Sequence, residues 1–212
     1  WSSCITTKAF EIMGYMDPNV GYYSGDVPKK GFFGNLGSFF IEFFETLVVF
    51  GAIFAIIYLF IAQFHKVSGL SMYPTMYNGD YLITEKVSYR FGEPKKGQIV
   101  VLKNPRDESQ DFIKRIIATP GDTLRIENDG VFVNGQKLKE TYLPAGTLTH
   151  AGAFITEGTE LKAGSNQYFV FGDNRNHSSD SREWGSVTKE EFVGRALFRY
   201  WPPQGVGSLT NL

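Results

Sequence analysis

From Leu47 to Ala62 the chain reads LVVFGAIFAIIYLFIA, without a charged residue. No other feature restricts so strongly what this chain can fold into. With Phe43, Phe44 and the few polar residues around them, the apolar stretch extends to Phe64. A helix rises about 1.5 Å per residue, so about 20 residues cross a hydrocarbon core of about 30 Å. A helix apolar on every face would otherwise need a large protein around it, and 212 residues supply little. Residues 39–65 are therefore expected to form one transmembrane helix in contact with a lipid bilayer. The 38 residues ahead of it argue against a cleavable signal, whose charged leader is short. Lys29 and Lys30 precede the run and Lys66 follows it, a small imbalance that leans toward a cytoplasmic N-terminus.

Residues 1–38 carry Pro18, Pro28 and scattered glycines with no sustained period, and read as a polar N-terminal tail. Gly31, Gly34 and Gly37 follow no strand and lack the spacing of a phosphate loop. Residues 66–205 read as a β-rich domain, and 206–212 as a C-terminal tail. Short apolar runs recur at Tyr81–Thr84, Gln98–Leu102, Phe112–Ala118, Thr123–Glu127, Val131–Val133 and Tyr168–Phe171. Asn128-Asp129-Gly130 and Asn134-Gly135 are tight-turn signals that predict two successive hairpins over 123–139. No repeated helical pattern alternates with these runs, which argues against a parallel α/β sheet.

Lys and Arg number 21 against 22 Asp and Glu, a net charge of −1. No basic field is available for nucleic acid. One cysteine, Cys4, excludes a disulfide framework and a Cys-rich zinc site. No His, Cys and carboxylate cluster has metal-ligand spacing, so neither metal nor cofactor is expected.

Three segments are denser in polar side chains than packing requires: Ser68–Thr75, then Phe112–Asp122 around Lys114 and Arg115, then Gly172–Arg182. Each alone has a plain structural explanation, such as a turn hydroxyl or a surface ion pair. Together they describe a serine nucleophile with a base. A serine hydroxyl attacks poorly until a base takes its proton. Of His65, His150 and His177, only His177 lies in a setting that suits a Ser/His arrangement. Lysine can serve instead where an apolar site favours its neutral form. Lys114, flanked by Phe112, Ile113, Ile116 and Ile117, fits. Arg115, next on the same strand, is expected to point to the opposite face and stay solvated.

SGLSMYPT directly after a membrane span, then NGDYLITEKVSYRF, DFIKRIIATPGD and GDNRNHSSDSREWG, resemble the bacterial type I signal peptidases, or leader peptidases, over roughly residues 43–202. The resemblance implies a compact, mostly β, β-barrel-like catalytic domain on the outer face of the cytoplasmic membrane. Its substrates would be secretory preproteins, cut after small residues in an A-x-A pattern. It implies Ser71 as nucleophile, Lys114 as general base and Ser178 as the hydroxyl that orients the lysine. Asp180 and Arg182 match the family's supporting ion pair, and Asp173 a supporting polar position. Gly69 stands where some members carry a second serine in the oxyanion hole, so that hole would rest on backbone N–H groups, chiefly that of Ser71. The Ser–Lys separation of 43 residues resembles the compact members with one span.

Met72, Tyr81, Leu82, Ile83 and Ile113 are the candidate walls of a shallow substrate pocket. Two other functions compete. A self-cleaving repressor-type Ser/Lys peptidase would need an Ala-Gly or Cys-Gly bond, which Ala151-Gly152 offers, but no membrane span. An inactive membrane-tethered scaffold would leave Ser71, Lys114 and Ser178 without a purpose.

Overall fold

The computed structural model describes residues 32–209. The expectation of an irregular N-terminal tail lies for residues 1–31 outside them, as do Cys4, Lys29 and Lys30. Helix α1 covers Phe32–Ile56 and is followed by a π-helical turn, Ile57–Ile61. Across the helix and this turn, Gly37–Ile61 is long and apolar enough to cross a membrane, and side chains such as Val48 and Phe54 are exposed.

Both ends of the expected 39–65 helix need correction. The helix starts at Phe32, inside the stretch read as a tail, because an isolated glycine costs a helix only about 1 kcal/mol. It stops at Ile61. Ala62–Lys66 is instead strand β1, because its backbone pairs antiparallel with β2, Tyr81–Glu85. An apolar run does not by itself distinguish helix from strand, and here the sheet edge decides.

The remaining strands are β3 (Ile99–Asn104), β4 (Asp107–Ala118), β5 (Thr123–Glu127), β6 (Gly130–Val133), β7 (Gln136–Lys137), β8 (Leu161–Lys162), β9 (Phe169–Phe171), β10 (Phe192–Trp201) and β11 (Gly207–Ser208). Two short helices, α2 (Val87–Phe91) and α3 (Ser181–Trp184), lie between them. One sheet runs β1-β2-β10-β3-β4-β9 with β11 on β10, and a smaller one runs β7-β6-β5-β8. All these pairings are antiparallel. The chain is mostly β, as expected, but among the described residues neither sheet closes on itself, so "barrel-like" holds only as a loose description.

The two hairpins form where the turn residues place them. Glu127 pairs with Gly130, and Asn128 and Asp129 both have positive φ (49° and 57°). Val133 pairs with Gln136 around Asn134 and Gly135 at 52° and 76°. A two-residue turn with positive φ at both positions matches the twist of the flanking strands. The expected C-terminal tail is corrected too: β11 pairs with β10, and Leu209 is 4% exposed in the core.

Strand β10 had no sequence signal of its own, since Arg195 and Arg199 break its apolar pattern. Both arginines are ion-paired with neighbours, Arg195 with Glu85 (3.0 Å) and Arg199 with Asp80 (2.8 Å). One buried cluster, with Val67, Met72, Met76, Leu82 and Ile99, underlies the loop after β1. A second, with Ile117, Leu124, Ile126 and Phe171, joins the smaller sheet to β4.

Candidate active site

The loop between β1 and β2 carries Ser71. Its base is closed where Val67 N–H donates to the Asp80 carbonyl (2.8 Å) and Gly79 N–H donates to that of Val67 (2.9 Å). Met72 and Met76, 2% and 0% exposed, fix the loop in the core. Gly69 has φ +100° and donates its N–H to Asn78 Oδ1 at 3.0 Å, a backbone setting that L side chains rarely adopt. Behind the nucleophile, Asn174 N–H donates to the Ser71 carbonyl (2.9 Å) and Asn174 Nδ2 to that of Leu70 (3.1 Å).

β4 brings the second group. Lys114 Nζ lies 2.9 Å from Ser71 Oγ, 43 positions away in sequence. The lysine is 3% exposed, and its Nζ sits 5.0 Å from the centre of the Phe112 ring. Phe112 and Lys114 share a face because strand side chains alternate. Desolvation lowers the Lys114 pKa to about 8, with Asp180 and Asp173 pulling it up and Arg182 pushing it down. A lysine titrating there is a competent base near neutral pH.

Arg115 does point to the opposite face, but the expectation that it stays solvated is wrong. It is fully buried. Its Nε and Nη2 donate to Asp173 at 2.9 and 2.7 Å, its Nη1 donates to the Gly97 carbonyl at 2.8 Å, and the guanidinium lies 3.8 Å from the Tyr142 ring centre. The Tyr142 ring and Asp173 cover that face, and the bidentate carboxylate compensates the charge. Thr75 Oγ1 adds a 2.5 Å bond to Asp173, so this pair ties β4 to the loop of Ser71.

The third segment wraps the same place. Asp180, 0% exposed, accepts from Arg182 Nε and Nη2 (both 2.8 Å), from Arg182 N–H and from Gly172 N–H (2.9 Å). Ser178 Oγ is buried and has no hydrogen-bond partner, so the expected bond to Lys114 is not made. Gly172 has no room for a side chain: a Cβ there would lie 2.2 Å from Ser178 Oγ and 2.5 Å from the Ser71 carbonyl.

A cleft of about 280 Å³ opens between residues 65–72 and 111–114, with His177 and Ser179 at its border. Met72 and Ile113, two of the candidate pocket walls, line it. Tyr81, Leu82 and Ile83 do not. β2 lies on the far side of β1 from the cleft, so Leu82 is fully buried in the core and Tyr81 packs against Tyr200. Val67 takes the position they were given.

Arg175, not among the candidate site residues, is 3% exposed and binds Glu140, Thr149 Oγ1 (2.7 Å) and the Gly172 carbonyl (3.0 Å). Its place in the GDNR segment was the only available signal. Ala151-Gly152 is held against the Arg182 backbone, where a Cβ on Gly152 would lie 2.4 Å from the carbonyl oxygen. No group of His, Cys, Asp and Glu among the described residues could hold a metal ion.

The family pattern described as "Signal peptidase, peptidase S26" matches residues 40–201. "Probable signal peptidase I-2" of Synechocystis sp. is 42% identical over 158 residues, 72% of this chain and 69% of that protein. "Signal peptidase IB" of Staphylococcus aureus (strain COL) is 33% identical over 175 residues, 76% and 91% of the two chains. A crystal structure of a signal peptidase I from Enterococcus faecalis V583 superposes with a TM-score of 0.41 at 28% identity, covering 49% of this chain and 96% of that one. By sequence extent and identity, the chain that brings Ser71 and Lys114 together belongs to the signal peptidase family, peptidase S26.

Proposed function

We propose that this chain is a membrane-anchored serine endopeptidase that removes N-terminal signal peptides from secretory preproteins. It cuts after small residues in an A-x-A pattern, with its catalytic domain on the outer face of a bacterial cytoplasmic membrane. The observation that carries this reading is the buried, apolar-flanked Lys114 amine 2.9 Å from Ser71 Oγ.

In this mechanism the neutral Lys114 amine takes the Ser71 hydroxyl proton as Oγ attacks the scissile carbonyl. The Ser71 N–H receives the developing oxyanion. Lys114 then gives its proton to the leaving amine, and an ester between Ser71 and the signal peptide remains. The neutral lysine next deprotonates water, which attacks the ester and releases the signal peptide as its carboxylate. Ser178 steadies the amine when substrate is bound. That role is supported by its position: a buried hydroxyl without a partner costs about 1–3 kcal/mol, and its Oγ faces the crowded junction of Gly172 and Ser71.

The substrate strand has a place to lie. β1 is paired only with β2, and β4 residues 111–114 are paired with β3 but lie before the residues that β9 covers. An extended peptide entering between these two free edges would gain main-chain hydrogen bonds. Its alternate side chains would meet Val67, Met72 and Ile113, apolar residues that line the cleft.

The test is full-length protein in detergent or vesicles with an A-x-A precursor, followed by N-terminal sequencing of the product. The expected product begins immediately after the A-x-A triplet, and Ser71→Ala yields none. Undiminished cleavage by Ser71→Ala would overturn the reading.

A further inference from the structure

The cleft is barred at the end away from Ser71. His65, on β1, and Asp111, on β4, face each other across the gap between the two unpaired edges, with His65 Nε2 3.5 Å from Asp111 Oδ2. Their strands are not neighbours in the sheet, so this contact joins two edges that share no backbone hydrogen bonds. Both residues line the cleft.

The Asp111 arm of the bar is held by a second ion pair. Lys103 on β3 pairs in register with Asp111 and donates to its Oδ1 at 2.7 Å. The His65 side chain is 16% exposed, and its other ring nitrogen, Nδ1, is buried without a partner. Among the described residues, Asp111 is thus the polar group that orients the ring. Desolvation lowers the His65 pKa from 6.5 against the opposing pull of Asp111, with Lys86 and Lys103 lowering it further, so near neutral pH the ring is largely uncharged.

We infer that the His65–Asp111 bar is a specificity determinant, which limits side-chain size at about the fourth residue before the cut. This rests on the peptidase function and the edge-strand slot proposed above. A strand between two others sits about 4.8 Å from each, so a substrate strand in the slot passes directly beside side chains that already touch across it. Asp111 lies three residues before Lys114 along β4, and strands advance at nearly equal rates of about 3.3 Å per residue. A peptide that runs parallel to β4 with the residue before the cut at Lys114 therefore has the fourth residue before the cut at the bar. There a large side chain needs the space that His65 and Asp111 fill, while glycine or alanine does not.

The experiment uses full-length enzyme and a pair of A-x-A precursors that differ only at the fourth residue before the cut, Gly in one and Trp in the other. Wild type is expected to favour Gly by about tenfold in kcat/KM, mostly through KM. His65→Ala removes one arm of the bar and should bring the ratio below about threefold. His65→Gln keeps a polar arm of similar reach and should retain most of the preference, which a merely structural loss would not do. A wild-type ratio near one, or the same ratio in His65→Ala as in wild type, would overturn the bar while leaving the peptidase function intact. Failure of wild type to cleave either precursor would overturn both.

Discussion

The two faces of β4 treat neighbouring cations in opposite ways. Arg115 is fully buried and meets Asp173 through two hydrogen bonds. Lys114 is almost as buried, yet its nearest polar partner is the uncharged Ser71 hydroxyl. A buried charge with a bidentate partner stays charged and ties elements together. One without a touching carboxylate is pushed toward its neutral form. On this strand a structural cation and a base differ in whether the fold supplies a carboxylate in contact.

The sharpest way to break the contrast is Lys114→Arg. Guanidinium stays protonated in proteins, so the base is lost, and general-base catalysis typically contributes about 10²–10⁴-fold. Precursor processing should fall by at least that range. In wild type, kcat/KM should climb about tenfold per pH unit below a Lys114 pKa of about 8 and level above it. A flat profile from pH 6 to 9 would count against lysine as the base.

On the other face the comparison is broken by Asp173→Ala, which takes the bidentate carboxylate from buried Arg115. Removing one partner of a buried pair costs about 3–5 kcal/mol, read as a shift in denaturant midpoint. A loss below about 1 kcal/mol would mean that water reaches the guanidinium.

The smallest effect sharpens the comparison from the side of stability. The folded state holds the Lys114 pKa at about 8, below the unfolded value of about 10.4. Between those values the unfolded chain binds more protons, so wild-type stability rises with pH. Lys114→Met should therefore be more stable than wild type by roughly 1–3 kcal/mol below pH 8, and the gap should close above about pH 10.5. No difference at pH 7 would show that Lys114 carries no burial cost.

The motifs made much of this legible from sequence. Ser71, Lys114, Asp173, Ser178, Asp180 and Arg182 are polar residues in segments where packing asks for none, and they converge on one place. The hairpins of 123–139 were equally legible, because a turn with two positive φ values narrows the choice of residues to a few. The pocket walls were not. Tyr81, Leu82 and Ile83 sit close to Ser71 in sequence, but strand order places β2 behind β1, and order in a sheet is not written locally. Nor was the end of the helix: Ala62–Lys66 continues an apolar run and becomes a strand only because β2 is there to pair with it.

Legible in the residues alone were an apolar segment long enough to cross a membrane, a β-rich domain after it, and the residue types of a serine nucleophile with a lysine base. Those follow from local chemistry: uninterrupted apolar length, turn residues, and functional groups out of place in a core. Only the tertiary structure decided that Arg115 is buried on Asp173, that Ser178 has no partner, and that His65 reaches Asp111 across the cleft. Each of these depends on contacts between residues far apart in the chain, and the energy of a buried polar group is set by what touches it.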